Sequence, residues 1–148
     1  MEIDRFGSNS LRVLASMLLI LDTSFLIRIS TRPLHSESLS ISFGGYDRVT
    51  VVEVIRELER LAKRTDTTRG KDARLALAYA KDLRIVGDDK NRNKRGFPPA
   101  DERILQYAKG KKDVAIASLD RSLLQEARKN GIRIISLSRE RLVESPVL

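Results

Sequence analysis

The spacing of apolar positions along the chain switches between two patterns, which predicts alternating strands and helices. Leu18-Leu19-Ile20-Leu21 is a continuous apolar run that ends on Asp22, and such a run is typical of a strand buried on both faces of a parallel sheet. A second buried strand is predicted at 114–118 and leads into Asp120. Residues 51–63 instead repeat their apolar side chains at spacings of three and four, which predicts an amphipathic helix.

The other predicted elements continue this alternation. We expect helices at 24–30, 70–83, 101–108 and 121–129, short strands at 48–52 and 84–86, and a closing strand at 132–135 after a helix C-cap at Gly131. The segment 31–46, with Pro33, two glycines and the lone His35, predicts mostly a polar loop, and 87–100 is the main break in the pattern. Strands that alternate with helices imply right-handed crossovers and a parallel sheet covered on both faces.

The length and the pattern indicate one α/β domain over residues 17–148. Residues 1–16 form an N-terminal extension that we expect to be flexible, because it is polar and contains the run from Gly7 to Ser10. No apolar run approaches the ~20 residues that span a membrane, and residues 11–29 lack a signal-peptide cleavage pattern. We therefore expect a cytoplasmic protein with no membrane association.

The amino-acid composition limits which catalytic and metal-binding groups the chain can supply. The chain has no Cys and a single His, which excludes disulfides, thiolate nucleophiles and Cys-bound zinc and argues against a His-based triad. Catalysis would then depend on carboxylates, hydroxyls, lysines or a metal held by oxygen. The formal net charge of +8 favours a polyanionic partner such as nucleic acid, with a merely soluble basic surface as the alternative.

Several carboxylates follow predicted strands or open predicted helices. Asp22, Asp101 and Asp120 each precede a helical run, so each also suits an N-cap. Glu57 and Glu59 flank the apolar stripe of the helix at 51–63, and periodicity does not say which of them faces a site. Each of these acids alone could be a cap or a solvated charge.

Taken together, the acids suggest a metal site. Asp22 and Asp120 follow strands that we expect to pair near the centre of the sheet, and Asp101 enters at the same edge. Clustered carboxylates repel one another unless a cation neutralises them. Without His or Cys ligands, the expected cation is Mg²⁺ or Mn²⁺. An acidic metal site on a basic protein matches metal-assisted hydrolysis of phosphodiester bonds.

Four motifs over residues 17–140 resemble those of the PIN-domain nucleases, in the same order. The motifs are Leu21-Asp22-Thr23-Ser24, residues 54–61 around Glu57, residues 100–105 around Asp101, and residues 118–132 beginning Ser118-Leu119-Asp120. The resemblance implies a three-layer α/β/α fold with a five-stranded parallel sheet in the order 3-2-1-4-5. It also implies a divalent-metal endoribonuclease.

The resemblance assigns roles to individual residues. It implies that Asp22, Glu57, Asp101 and Asp120 are the catalytic residues and metal ligands, which selects Glu57 over Glu59. By the same resemblance, Ser24 and Ser118 would help to hold the carboxylates or the water, and Glu102 would be an auxiliary ligand. One departure is Leu119, where the family commonly has Asn.

Basic residues supply candidate RNA contacts. Arg28 lies one turn or so beyond Asp22 and is either a phosphate contact or an ordinary surface arginine. The predicted loop contacts are Lys90, Arg92, Lys94 and Arg95, for which a solvated insertion is the alternative.

The leading hypothesis is an endoribonuclease that acts in rRNA or other RNA processing. A VapC-type toxin ribonuclease held by an antitoxin is the first alternative. A non-catalytic RNA-binding or ribosome-assembly subunit with the same fold is the second. A homodimer is expected only because relatives often form one.

Overall fold

The computed structural model describes residues 17–87, 99–138 and 141–145. Its strands are β1 Met17–Leu21, β2 Tyr46–Val51, β3 Arg84–Val86, β4 Val114–Ala117, β5 Arg133–Ser138 and β6 Arg141–Ser145. Its helices are α1 Thr23–Thr31, α2 Pro33–Phe43, α3 Val52–Ala62, α4 Thr68–Ala80, α5 Ala100–Ala108 and α6 Arg121–Lys129. The predicted N-terminal extension and the basic loop with Lys90, Arg92, Lys94 and Arg95 lie outside the described residues.

The strands form one sheet in the order β3-β2-β1-β4-β5-β6. The first five are parallel, so the predicted α/β class and the order 3-2-1-4-5 are confirmed. The sheet has one strand more than predicted, because β6 adds antiparallel to β5 with Glu144 opposite Ile135. This edge strand is short and mixes polar with apolar residues, so it lacks the continuous apolar pattern that marks β1 and β4.

The core lies around the two central strands. In β1, Leu19, Ile20 and Leu21 are fully buried. In β4, Val114 is 1% exposed and the other three residues are fully buried. Since side chains alternate between the faces of a strand, complete burial means that both faces of the sheet are covered here. Burial at this level matches the three-layer arrangement that the sequence predicts.

Helix α2 corrects the predicted loop at 31–46. Pro33 opens the helix, where a missing N–H costs nothing, and His35 and Leu39 are buried one turn apart. The helix packs against α1 and β6. Its serines are weak helix formers, so the helix depends on this packing, which the local sequence does not reveal. The sequence suggested that His35 lies in a polar loop, whereas the structure shows it as a buried residue of a helix.

The last strand–helix connection matches the prediction. Gly131 has φ +70°, and its N–H donates to the carbonyl of Arg128 while the N–H of Ile132 donates to Ala127. This pair of hydrogen bonds is a Schellman cap, which ends α6 and turns the chain into β5. Within the described part of the chain, no helix has the length and apolar character needed to cross a membrane.

Candidate active site

The carboxyl ends of β1 and β4 lie side by side and position the candidate site. Leu21 is paired with Ala117 in parallel register, so the residues that follow each strand emerge at the same edge of the sheet. A cleft of about 1360 Å³ opens there, and we call it the acidic cleft. It is lined by all four predicted acids, which are Asp22, Glu57, Asp101 and Asp120. Open α/β sheets place their ligands at this edge.

Asp22 is the most buried of the four predicted acids, with 7% of its surface exposed. It is the N-cap of α1, and its Oδ1 accepts hydrogen bonds from the N–H of Phe25 and the hydroxyl of Ser24, both at 2.9 Å. Its Oδ2 accepts from the hydroxyl of Ser118. The carboxylate therefore has a fixed orientation.

Burial raises the pKa of Asp22 from 3.8 to about 6. Hydrogen bonds from Ser118, Phe25 and Ser24 oppose this change in pKa, whereas the nearby charge of Asp120 adds to it. Desolvation is the largest cause, so the protein lowers the stability of the ionised form. A cation in the cleft would reverse that penalty.

Two serine hydroxyls connect the ends of β1 and β4. Ser24 donates to Asp22 and accepts from the N–H of Leu119 at 3.1 Å, while Ser118 donates to Asp22 and accepts from the N–H of Asp120 at 2.9 Å. The structure thus places both predicted serines in contact with Asp22. Residue 119 takes part in these hydrogen bonds through its backbone N–H, which a Leu provides as well as an Asn does.

Glu57 reaches the acidic cleft from α3. The hydroxyl of Thr23 donates to its Oε1 at 2.7 Å. Glu59, by contrast, is exposed and pairs with Arg56 at 3.1 Å. Helix packing therefore turns Glu57, rather than Glu59, toward the cleft. Thr23 was missed by the sequence analysis, although its place directly after Asp22 is a usable indication.

Asp101 and Asp120 lie at the starts of two helices and are exposed. One oxygen of Asp120 caps α6 by accepting from the N–H groups of Ser122 and Leu123. The sequence suggested that Asp101 is the N-cap of α5. In the structure Pro99 occupies that position, and Asp101 lies in the first turn of the helix. Glu102 is exposed and does not line the acidic cleft.

Two features of the acidic cleft were not predicted from the sequence. Glu53 is 3% exposed and lies on the cleft one helical turn before Glu57. Five arginines, which we call the arginine cluster, also line the cleft; they are Arg28, Arg32, Arg56, Arg60 and Arg69. Only Arg28 was predicted. The spacing of four residues between Glu53 and Glu57, and within the pairs 28/32 and 56/60, was the available indication.

The donor set suits a hard divalent cation. The candidate ligands are carboxylate oxygens, which Mg²⁺ and Mn²⁺ prefer. Among the described residues, no three acidic or histidine side chains lie close enough to form a ready-made metal cluster. Mg²⁺ usually keeps several waters and takes one or two protein carboxylates, so the residues fit an ion held partly through water.

The fold and the cleft together define an α/β domain with its candidate site at the carboxyl edge of a parallel sheet. No family model matches the chain. The chain is 29% identical over 128 residues to the ribonuclease VapC4 of Methanocaldococcus jannaschii, covering 83% of this chain and 92% of that protein. It also resembles the structure of the PIN-domain endonuclease Utp24, with a TM-score of 0.63 and 26% identity over 88% of this chain and 92% of that one. In sequence and in fold, the chain is therefore similar to PIN-domain ribonucleases.

Proposed function

We propose that this protein is a divalent-metal-dependent endoribonuclease that hydrolyses RNA phosphodiester bonds in the acidic cleft. The observation that supports this proposal best is that four carboxylates from separate segments of a chain with net charge +8 line one cleft. Asp22, Asp101 and Asp120 are the proposed binding groups for Mg²⁺ or Mn²⁺, one or two of them in direct contact with the ion and the rest through water. Glu57 is a ligand, directly or through water, or orients the attacking water.

The protein's own contribution is to position these groups. When bound, a divalent cation activates water and stabilises the charge on the reacting phosphate. The chain fixes Asp22 with three hydrogen bonds and orients Glu57 through Thr23. Groups held in advance need no reorganisation when charge develops during the reaction, which is a large part of electrostatic catalysis.

The similarity to VapC4 supports a second, more specific candidate, a VapC-type toxin ribonuclease with an antitoxin partner. It would use the same cleft and differ in regulation. An antitoxin gene next to this one would favour it. A role in rRNA processing, the homodimer and the cytoplasmic location stay predictions from the sequence.

The test compares the wild-type protein with Asp120→Asn on an unpaired RNA in the presence of Mn²⁺. Asn is as good an N-cap as Asp, so α6 keeps its start while the candidate ligand loses its charge. We expect cleavage to fall by at least about 10- to 100-fold, the loss that removing a group that supports a metal site typically gives. Glu126→Gln is the control, since it removes one exposed carboxylate from the same helix.

Two results would contradict the proposal. Equal inactivity of both proteins, with RNA binding retained, would favour the non-catalytic RNA-binding subunit. Cleavage by Asp120→Asn at the wild-type rate would remove Asp120 from the active site.

A further inference from the structure

Arg103 connects the first part of α5 to the end of β3. Its guanidinium donates a hydrogen bond from Nη2 to the carbonyl of Gly87, the residue directly after β3. Val86 of β3 is paired with Val51 of β2 in parallel register, so this carbonyl lies at the carboxyl edge of the sheet. The acidic cleft opens at the same edge. A side chain of α5 thus holds the helix to the sheet beside the candidate site.

The backbone at Gly87 allows this contact. Gly87 has φ +70°, a conformation that residues with a side chain rarely adopt. A Cβ at this position would lie 3.2 Å from Nη2 of Arg103 and 3.3 Å from Cδ1 of Tyr107, which lies one turn later on α5. Because Gly87 has no side chain, α5 can approach the end of β3 closely enough for Arg103 to reach the carbonyl.

Asp101 and Arg103 leave α5 in opposite directions. Two residues along an α-helix correspond to about 200° of rotation, since each turn has 3.6 residues. Accordingly, Asp101 lines the acidic cleft and Arg103 does not. A hydrogen bond that fixes Arg103 on one side of the helix therefore also fixes the direction in which Asp101 leaves the other side.

The start of α5 has weaker support than the rest of the helix. Ile104 and Ala108 are fully buried and anchor the middle and end of the helix in the core. Pro99 occupies the N-cap, and proline has no side-chain oxygen to accept from the N–H groups of the first turn. Asp101 is exposed, so packing alone does not fix its carboxylate. The contact from Arg103 to Gly87 supplies support at this end.

We propose that Arg103 is a positioning residue, which holds the start of α5 against Gly87 and thereby directs the carboxylate of Asp101 into the acidic cleft. This inference rests on the proposed function, because Asp101 is one of the proposed binding groups for Mg²⁺ or Mn²⁺. Arg103 itself contacts neither the ion nor the RNA. Its removal should therefore weaken metal binding only through Asp101.

The experiment measures Mn²⁺ binding by calorimetry, without RNA, in the wild type, Arg103→Met and Arg103→Lys. Met keeps an unbranched apolar side chain but has no N–H to donate, so Mn²⁺ should bind about 10-fold more weakly. This is the lower end of the loss expected when a group that orients a metal ligand is removed. Lys keeps a donor for the carbonyl of Gly87 and should recover part of the affinity. With saturating Mn²⁺, KM for RNA should not change, because no contact with RNA is removed.

Arg74→Met is the matched control. Arg74 of α4 also donates to a backbone carbonyl of another element, that of Ala62 at the end of α3, at 2.8 Å, but it does not line the acidic cleft. Its substitution should leave the Mn²⁺ affinity unchanged. A second comparison adds Arg103→Met to Asp101→Asn. It should cause no further loss of affinity, because the effects of two residues that act through one group are not additive.

Amide hydrogen exchange gives a readout that needs neither metal nor RNA. The N–H of Arg103 donates to the carbonyl of Pro99 at 3.1 Å, which closes the first turn of α5. In Arg103→Met this N–H should exchange about 5-fold faster, which is the order of effect that one lost hydrogen bond has on local opening. The Arg74→Met protein should show the wild-type rate.

The outcomes separate this inference from the proposed function. A wild type that binds no Mn²⁺ and cleaves no RNA would refute the proposed function, and hydrogen exchange would then decide whether Arg103 holds the start of α5. Unchanged exchange in Arg103→Met would overturn the inference in either case. If the wild type binds Mn²⁺, a lower melting temperature of Arg103→Met with unchanged affinity would show a purely structural contact. An equal loss of affinity in the Asp101→Asn background would show that Arg103 does not act through Asp101.

Discussion

Replacing Asp22 with Asn tests whether the buried carboxylate destabilises the protein when no cation is bound. Asn keeps the N-cap of α1, and the hydroxyl of Ser118 can turn to accept from the new amide. The substitution therefore removes the titrating group with little change in shape. Its effect on stability should depend strongly on pH.

The size and sign follow from the two pKa values of Asp22, 3.8 in an unfolded chain and about 6 in the folded protein. Below pH 3.8 the group is protonated in both states and has no effect. Between these values only the folded state binds the proton, so the stability of the wild type falls as pH rises. Above pH 6 the loss is complete, and a difference of about 2 between the pKa values corresponds to about 3 kcal/mol.

The assay is urea unfolding of both proteins from pH 4 to pH 7, with EDTA and at constant ionic strength. The free energy of unfolding of the wild type, relative to Asp22→Asn, should decrease by about 2.4 kcal/mol over this range, because part of the loss has already occurred at pH 4. Parallel pH profiles of the two proteins would refute the reasoning. Adding Mn²⁺ at pH 7 should then stabilise the wild type more than the variant, because a ligand that binds only the folded state raises its stability. Equal stabilisation would mean that Asp22 is not a ligand.

Three further substitutions test the structure around the acidic cleft. Thr23→Val removes the hydrogen bond that orients Glu57, so RNA cleavage should decrease in a kinetic assay while the melting temperature changes little; unchanged cleavage would show that this contact has no catalytic role. Thr50→Val removes a buried hydrogen bond of 2.8 Å to the carbonyl of Leu21, and urea unfolding should show a loss of about 1 to 3 kcal/mol. Gly131→Ala places a side chain at φ +70°, and its loss of about 1 kcal/mol should appear in the same assay; a neutral result would contradict the strained geometry.

The sheet was predictable because its central strands carry an unambiguous pattern. Residues 18–21 and 114–117 are apolar throughout, and only burial on both faces of a parallel sheet accounts for that. Glu57 was assigned by its motif, since periodicity left it equivalent to Glu59. Both the sheet order and the position of Glu57 agree with the structure.

The missed features all depend on tertiary packing. Helix α2 forms from a serine-rich segment because His35 and Leu39 are buried against its neighbours. The packing of α4 against α1 and α3 determines which side of α3 meets the acidic cleft. It therefore also determines that Glu53 and Arg60 line the cleft. Local periodicity contains no information about those contacts.

The hydrogen bond between Ser118 and Asp22 joins residues 96 positions apart. During synthesis, β1 therefore leaves the ribosome well before its neighbour β4. A strand that awaits so distant a partner stays unpaired, because long-range pairing cannot begin before both segments exist. A nascent chain that ends before β4 therefore has no Asp120 and no partner for one edge of β1. The contacts that fix Asp22 between β1 and β4 therefore form only after β4 has been made.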